Sequence, residues 1–243
     1  MTTPWFASWF DSPYYPVLYR HRDEKEAESF IHRLIHELNP KPEATFLDLA
    51  CGRGRHSVTI HNMGYEVTGI DLSPSSIADA NLHATQGLLF EVQDMREPFP
   101  GKFDFILNLF TSFGYFAHET DNMKVLGQVS ESLNPQGIFV LDFMNATKVV
   151  AGLVAHESKI IDDIVFIIRR RVENGIILKD IHVKDGSKTF DFQERVQALD
   201  HNQISDMLEK SGLRAFKAWG DYQGGEYHAN SSDRLIIFAK HQN

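Results

Sequence analysis

Five short apolar runs recur between residues 45 and 145: TFLDLA, YEVTGID, GLLFEVQD, FDFILNLF and GIFVLDFMN. Helix-patterned or turn-forming stretches separate them. Strands that return in the same direction need long crossover connections, and near-continuous apolar strands are buried on both faces. The alternation therefore predicts an α/β, Rossmann-like, mostly parallel sheet with helices on both faces. Helices are expected over 55–63, closed by Gly64, and from the Ser73 cap with Pro74 in the first turn to about 84. A third is expected over 120–133, stopped by NPQG. Before the first strand, the spacing of Ala27, Phe30, Ile31, Leu34, Ile35 and Leu38 predicts a helix over 23–38, ended by NPKPE.

After residue 145 the period changes. Residues 156–199 contain β-patterned runs, IIDDIVFIIRRRVE, GIILKDIHVKD and KTFDFQERVQAL, with hairpin signals at Asn174-Gly175 and Asp185-Gly186. They read as a small antiparallel insertion after the fifth strand. A helix over 202–210, ended by Gly212, and two closing strands, LRAFKAWGDY and DRLIIFAK, bring the main sheet to seven strands. Residues 1–243 thus read as a single domain: a lid and helix (1–40), a cofactor-binding core (41–145), the insertion (156–199) and a closing helix and strand pair (200–243). The segment PWFASWFDSPYYPVLY is too short for its own core, so it serves either as a lid over the site or as an apolar strap on the sheet.

Thirty-three acids against 24 bases, a formal charge of −9, argue against general nucleic-acid binding, which draws on basic groups facing phosphates. No run of about 18 apolar residues occurs, so no membrane helix is expected. MTTPWFASWFDSPYY lacks the pattern of a signal peptide. The lone cysteine, Cys51, forms no internal disulfide and points to a reducing, cytoplasmic compartment.

The first strand runs into FLDLACGRGRHS (46–57). In an open α/β sheet, ligands bind beyond the carboxyl ends of the strands. Gly52 and Gly54 allow a tight turn and close backbone approach, and the helix that follows offers free N–H groups. A phosphate loop would need Gly-Lys-Ser/Thr, which is absent. A dinucleotide fingerprint would need a third glycine where Ser57 stands, which weakens a nicotinamide-dependent oxidoreductase as the alternative. Asp48, inside the strand, suits a cofactor carrying positive charge, as S-adenosylmethionine does.

DLACGRGR (48–55) resembles the first motif of class I S-adenosylmethionine-dependent methyltransferases. GIDLS (69–73) resembles that family's second strand with its ribose-binding acid, and QDMR (93–96) its adenine-contacting segment. FDFILNLFTSFGYF (103–116) resembles the fourth strand and its loop. GDYQGGEY and SDRLIIFA are similar to the closing strand pair of small-molecule methyltransferases. The resemblance implies S-adenosyl-L-methionine as cofactor, S-adenosyl-L-homocysteine as product, and a small-molecule acceptor. It implies cofactor contacts from Tyr15, Tyr19, Asp48, Ala50, Cys51, Gly52, Gly54, Asp71, Leu72, Asp94, Met95, Asn108, Leu109 and Phe110.

Each residue also has a plainer reading. Asp71 ends its strand and can accept both ribose hydroxyls, while Ser73 supplies the helix cap. Asp94 can accept from the adenine amine or be a solvated loop acid. Asn108 can turn its amide oxygen toward the sulfonium or simply end a strand. Cys51 reads as a small turn residue, with no base placed beside it. His32 and His36 sit at i, i+4 but lack a third ligand, so no metal is expected. Candidates to touch the reacting atoms are Asn108, His118 and Tyr15. Arg169 and Arg171 share a strand face and, with Arg195, either hold an anionic substrate or form a solvated surface. A cofactor-binding protein without catalysis is the remaining alternative.

Overall fold

The computed structural model describes residues 5–20 and 24–242. The aromatic N-terminal segment forms two short helices, α1 (Trp5–Phe10) and α2 (Tyr14–Leu18). The expected start of the next helix at Asp23 lies outside the described residues, and α3 spans Glu24–Leu38. Its apolar stripe of Phe30, Ile31, Leu34 and Ile35 is buried on the main sheet.

The core follows in the order β1 (Thr45–Leu49), α4 (Arg55–Asn62), β2 (Glu66–Asp71), α5 (Pro74–Ala80), β3 (Leu88–Val92), β4 (Phe103–Asn108), α6 (Glu119–Ser132) and β5 (Leu133–Met144). A short helix α7 (Ala146–Ala151), not expected from the sequence, precedes the insertion. The chain closes with α8 (His201–Lys210), β10 (Leu213–Trp219) and β11 (Arg234–His241). The sheet order is β10-β11-β5-β4-β1-β2-β3, with β11 antiparallel to both of its neighbours. Separate apolar clusters cover its two faces. One is built with α6 and α8, the other with α3, α4 and α5.

Three expectations are corrected. NPQG does not lie between helix and strand, because β5 already begins at Leu133, opposite Phe103. A register shift between Phe103 and Phe105 absorbs the irregular segment, and Asn134 Nδ2 donates to Asp104 Oδ1 at 2.8 Å. The helix after Ser73 ends at Ala80, followed by a single 3₁₀ turn, Asn81–His83. The run IIDDIVFIIRRRVE is two strands, because Asp162 and Asp163 (φ 50° and 64°) make a two-residue hairpin turn. The insertion is therefore a four-stranded antiparallel sheet, β6 (His156–Ile161), β7 (Ile164–Glu173), β8 (Ile176–Asp185) and β9 (Lys188–Gln197).

Strand parity places Phe166, Ile168, Ile181 and Val183 on the inner face of this sheet, packed against Trp9, Tyr14 and Leu18. Backbone and side-chain bonds from Gln197 to Gly114 and Phe116 tie β9 to the loop after β4. Insertion and N-terminal helices thus lie together over the carboxyl end of the main sheet.

Candidate active site

The carboxyl ends of β1 and β4 lie side by side, with Leu49 opposite Asn108. Asp48 is 1% exposed. Burial pushes its carboxyl up to about 7, against the lowering effect of a 2.6 Å hydrogen bond from Ser57 Oγ. Asn108 is equally buried, and its Nδ2 donates to the Leu49 carbonyl at 3.1 Å. Its Oδ1 has no hydrogen-bond partner among the described residues. Two buried acceptors, one a carboxylate held near neutrality, are what a cationic ligand needs.

The glycine turn has two different reasons for its composition. Both glycines have positive φ, Gly52 at 57° and Gly54 at 77°. A Cβ on Gly54 would stand 2.6 Å from the Phe90 ring, so packing alone demands glycine there. A Cβ on Gly52 would meet nothing within 4 Å, leaving space over the turn for a ligand. Ala50, at φ 57°, shares the left-handed conformation. Cys51 is buried, and burial drives its thiol far above the ordinary range, so it is an inert packing residue.

Asp71 accepts the Gly52 N–H at 2.9 Å and the Ser73 N–H at 2.8 Å. Burial raises its carboxyl despite these two bonds. It therefore locks the turn to the end of β2. Leu72 beside it is exposed, whereas Leu109 is buried in the core. Asp94 is held by Arg96 in a fork, with Nη2 to Oδ2 at 2.6 Å and Nε to Oδ1 at 3.0 Å. Burial would raise its carboxyl, but Arg96 outweighs it and holds it below the usual range. Arg96 also reaches Asp121 at 3.4 Å and lies 4.8 Å over the Phe116 ring, and Met95 packs on the core beside it. His118 is an exposed residue at the start of α6, next to Asp121 rather than to Asp48 and Asn108.

The N-terminal helices bridge the site. The Asp11 carboxylate accepts from Ser75 Oγ at 2.7 Å and from Ser73 Oγ, two residues beyond Asp71. Trp5 meets Tyr115 edge-on at 5.2 Å, Phe10 lies tilted against it at 5.7 Å, and Phe6 meets Phe116 edge-on. Tyr15 packs its ring between Trp9, Phe10 and Tyr19. Tyr19 donates to Glu194 and accepts from Lys179, both on the inner face of the insertion. Arg170 shares that face, through the parity of Phe166 and Ile168, and pairs with Glu157. Arg169, Arg171 and Arg195 face outward, where Arg171 pairs with Glu173 and Asp180, the solvated-surface reading. His32 and His36 are exposed, and no cluster able to hold a metal exists among the described residues.

Sequence reasoning missed Asp142 and Arg234. Asp142 is fully buried at the end of β5 and pairs with Arg234 of β11 at 2.7 Å. The signal was present: an acid inside the apolar run GIFVLDFMN, the pattern that singled out Asp48 in TFLDLA.

A family model described as a methyltransferase domain matches residues 40–210. The Bacillus subtilis (strain 168) protein YqeM is 29% identical, over 80% of this chain and 83% of its own. A glycine/sarcosine N-methyltransferase from Halorhodospira halochloris is 24% identical, over 83% of this chain and 76% of its own. The crystal structure of an S-adenosylmethionine-dependent methyltransferase from Clostridium acetobutylicum ATCC 824 superposes with a TM-score of 0.80. It is 22% identical, with 95% of this chain and 96% of that chain covered.

Proposed function

The chain belongs to the methyltransferase-domain family, with the class I S-adenosylmethionine-dependent fold, and we propose that it transfers the methyl group of S-adenosyl-L-methionine to a small-molecule acceptor. The observation that carries this reading is the buried pair of acceptors, Asp48 near neutrality and Asn108 Oδ1 without a partner, beside open space over Gly52. These groups fit a ligand with a sulfonium and an ammonium at one end.

When bound, the cofactor supplies an activated methyl group, so the protein has mainly to align the acceptor and exclude water. Asp48 and Asn108 would neutralise and orient the methionine end, with Ser57 fixing the Asp48 rotamer. The turn from Ala50 to Gly54 would lie along the chain of the cofactor, Asp71 would accept the ribose hydroxyls, and Leu72, Asp94 and Met95 would surround the adenine. Leu109 and Phe110 would stand at the sulfur. Tyr15 in α2 and Tyr19 at its end would close the site and border the acceptor. The acceptor atom we favour is an amine nitrogen, which needs no strong base once neutral. The name of the Halorhodospira halochloris relative supports it. A cytoplasmic location accords with the single buried cysteine.

Isothermal titration with S-adenosylmethionine and S-adenosylhomocysteine tests the cofactor half. Binding of both is expected, and Asp71→Ala should weaken it about tenfold, the loss of hydrogen bonds to a charged group. Failure of both ligands at millimolar concentration rejects the reading. S-adenosylhomocysteine release across a panel of small amines, carboxylates and phenols tests the acceptor half, and turnover confined to non-amines would refute the amine assignment. Fluorescence titration with NADH and NADPH separates the oxidoreductase alternative.

A further inference from the structure

We infer that Asp142 and Arg234 form a positioning pair that fixes the corner after β4, Phe110 and Thr111, against the methyl-bearing end of the cofactor; this rests on the cofactor reading above. Phe110 (φ 58°) and Thr111 (φ 61°) are consecutive left-handed residues, and neither is glycine. For a β-branched residue such as Thr111 this conformation is unfavourable and persists only where the surroundings over-determine it. The corner begins two residues after Asn108, whose Oδ1 is the orphan acceptor of the site.

Asp142 and Arg234 supply the over-determination. The Phe110 N–H donates to Asp142 Oδ2 at 2.8 Å and the Thr111 N–H to the Asp142 carbonyl at 3.0 Å. Arg234 Nη2 donates to Thr111 Oγ1 at 2.8 Å, and Nε to Asp142 Oδ1 at 2.8 Å. Three of these four bonds end on the corner itself. Tyr222 Oη adds a 3.2 Å bond to Asp142 Oδ2, and its ring stacks on Phe110 at 5.2 Å. Phe110 also meets His56, stacked at 4.8 Å, and the Arg55 guanidinium, 4.7 Å from the ring centre. Burial drives the His56 imidazole down to about 3, so it packs as a neutral ring. The corner is thus clamped between β5, β11 and the helix that follows the glycine turn.

A buried ion pair that merely stabilised the core would be replaceable by apolar residues at little cost. Here the pair reaches out of the core to set two strained backbone positions beside the reacting end. Arg234 presents a planar fork, so lysine is an incomplete substitute.

The test compares affinities for S-adenosylhomocysteine, which occupies the sulfur end, with those for adenosine, which does not. Wild type, Arg234→Met, Arg234→Lys and Thr111→Val are titrated well below their melting temperatures. Arg234→Met is expected to lose about tenfold or more in S-adenosylhomocysteine affinity, with Arg234→Lys intermediate and Thr111→Val losing less. Adenosine affinity should stay within about twofold throughout, since a smaller change is near the level of ordinary surface substitution effects. Equal losses for both ligands, or no loss in folded variants, would overturn the inference. Should Arg234→Met not fold, Thr111→Val decides by the same ligand contrast. A wild type that binds neither ligand overturns the cofactor reading itself.

Discussion

Asp48 and Asp71 occupy comparable strand ends, yet their surroundings give them different work. Asp71 is occupied by two backbone N–H groups and acts as a fastener of the turn. Asp48 has one hydroxyl donor and deep burial, and its carboxyl rises from 3.8 to about 7. The folded chain therefore holds this proton where the unfolded chain has released it. Stability from this group is present at low pH and is lost as pH rises from about 4 to about 7. A cationic ligand favours the carboxylate, so binding releases a proton and affinity should climb through the same pH region. Titration calorimetry from pH 5.5 to 8.5 should show this rise in wild type and its absence in Asp48→Asn, which should also bind more weakly. Without ligand, Asp48→Asn should melt above wild type at pH 8, and the gap should narrow as pH falls toward about 4. The sequence disclosed Asp48 because an acid interrupts an apolar strand. It did not disclose that Gly54 answers to Phe90, since nothing local states which ring will lie beneath a turn.

The N-terminal helices and the inserted sheet form one structure at the scale of elements. Neither has a core alone, and they share the cluster around Trp9, Phe166 and Ile181. The strap is fastened to the insertion through Glu194, which accepts from Trp9 Nε1 at 2.7 Å and from Tyr19. It is fastened to the core through Asp11 at Ser73 and Ser75. Asp11→Ala removes the second fastening where the cofactor would enter. Stopped-flow chase should then show faster S-adenosylhomocysteine release, with far-UV dichroism unchanged; an unaltered release rate would mean that the strap does not gate exchange. The hairpins signalled by Asn174-Gly175 and Asp185-Gly186 were readable because the left-handed positions, Asn174, Gly175 and Gly186, favour those residues; Asp185 itself ends β8, paired with Lys188. The hairpin at Asp162-Asp163 was not, because two aspartates are an unusual choice for such a turn. The early start of β5 was hidden for a related reason: a proline in a strand is tolerated only where pairing is irregular, and that irregularity depends on Phe103 and Asp104.

The whole molecule gathers the proposed ligand groups at the carboxyl ends of β1, β2 and β4 and in the turns that follow, while two apolar clusters on either face of the sheet carry the stability. Binding across β1, β2, β4 and the strap should therefore stabilise the fold by mass action. S-adenosylhomocysteine at about 100 times its dissociation constant should contribute about 2.7 kcal/mol. For a chain of this size that corresponds to a melting shift of roughly 5–10 °C, measurable by calorimetry, and no shift at saturating ligand would contradict the proposed site. Among the described residues, no helix is long and apolar enough to cross a membrane.

Periodicity, turn residues and caps are local quantities, so the sequence by itself determined the alternating strands and helices, the glycine turn, the acids at the strand ends and the antiparallel insertion. Pairing across the chain is not local. Only the tertiary structure decided that Asp142 meets Arg234, 92 residues away, and that both reach the corner at Phe110 and Thr111. It also decided that Arg170 rather than Arg169 or Arg171 faces inward, because the parity of β7 is set by where Phe166 and Ile168 find the strap. Burial turns the same residue types into different chemistry: Asp48 becomes a near-neutral acid, His56 a permanently neutral ring and Cys51 an unreactive thiol. Those states follow from what surrounds each group once the chain has closed.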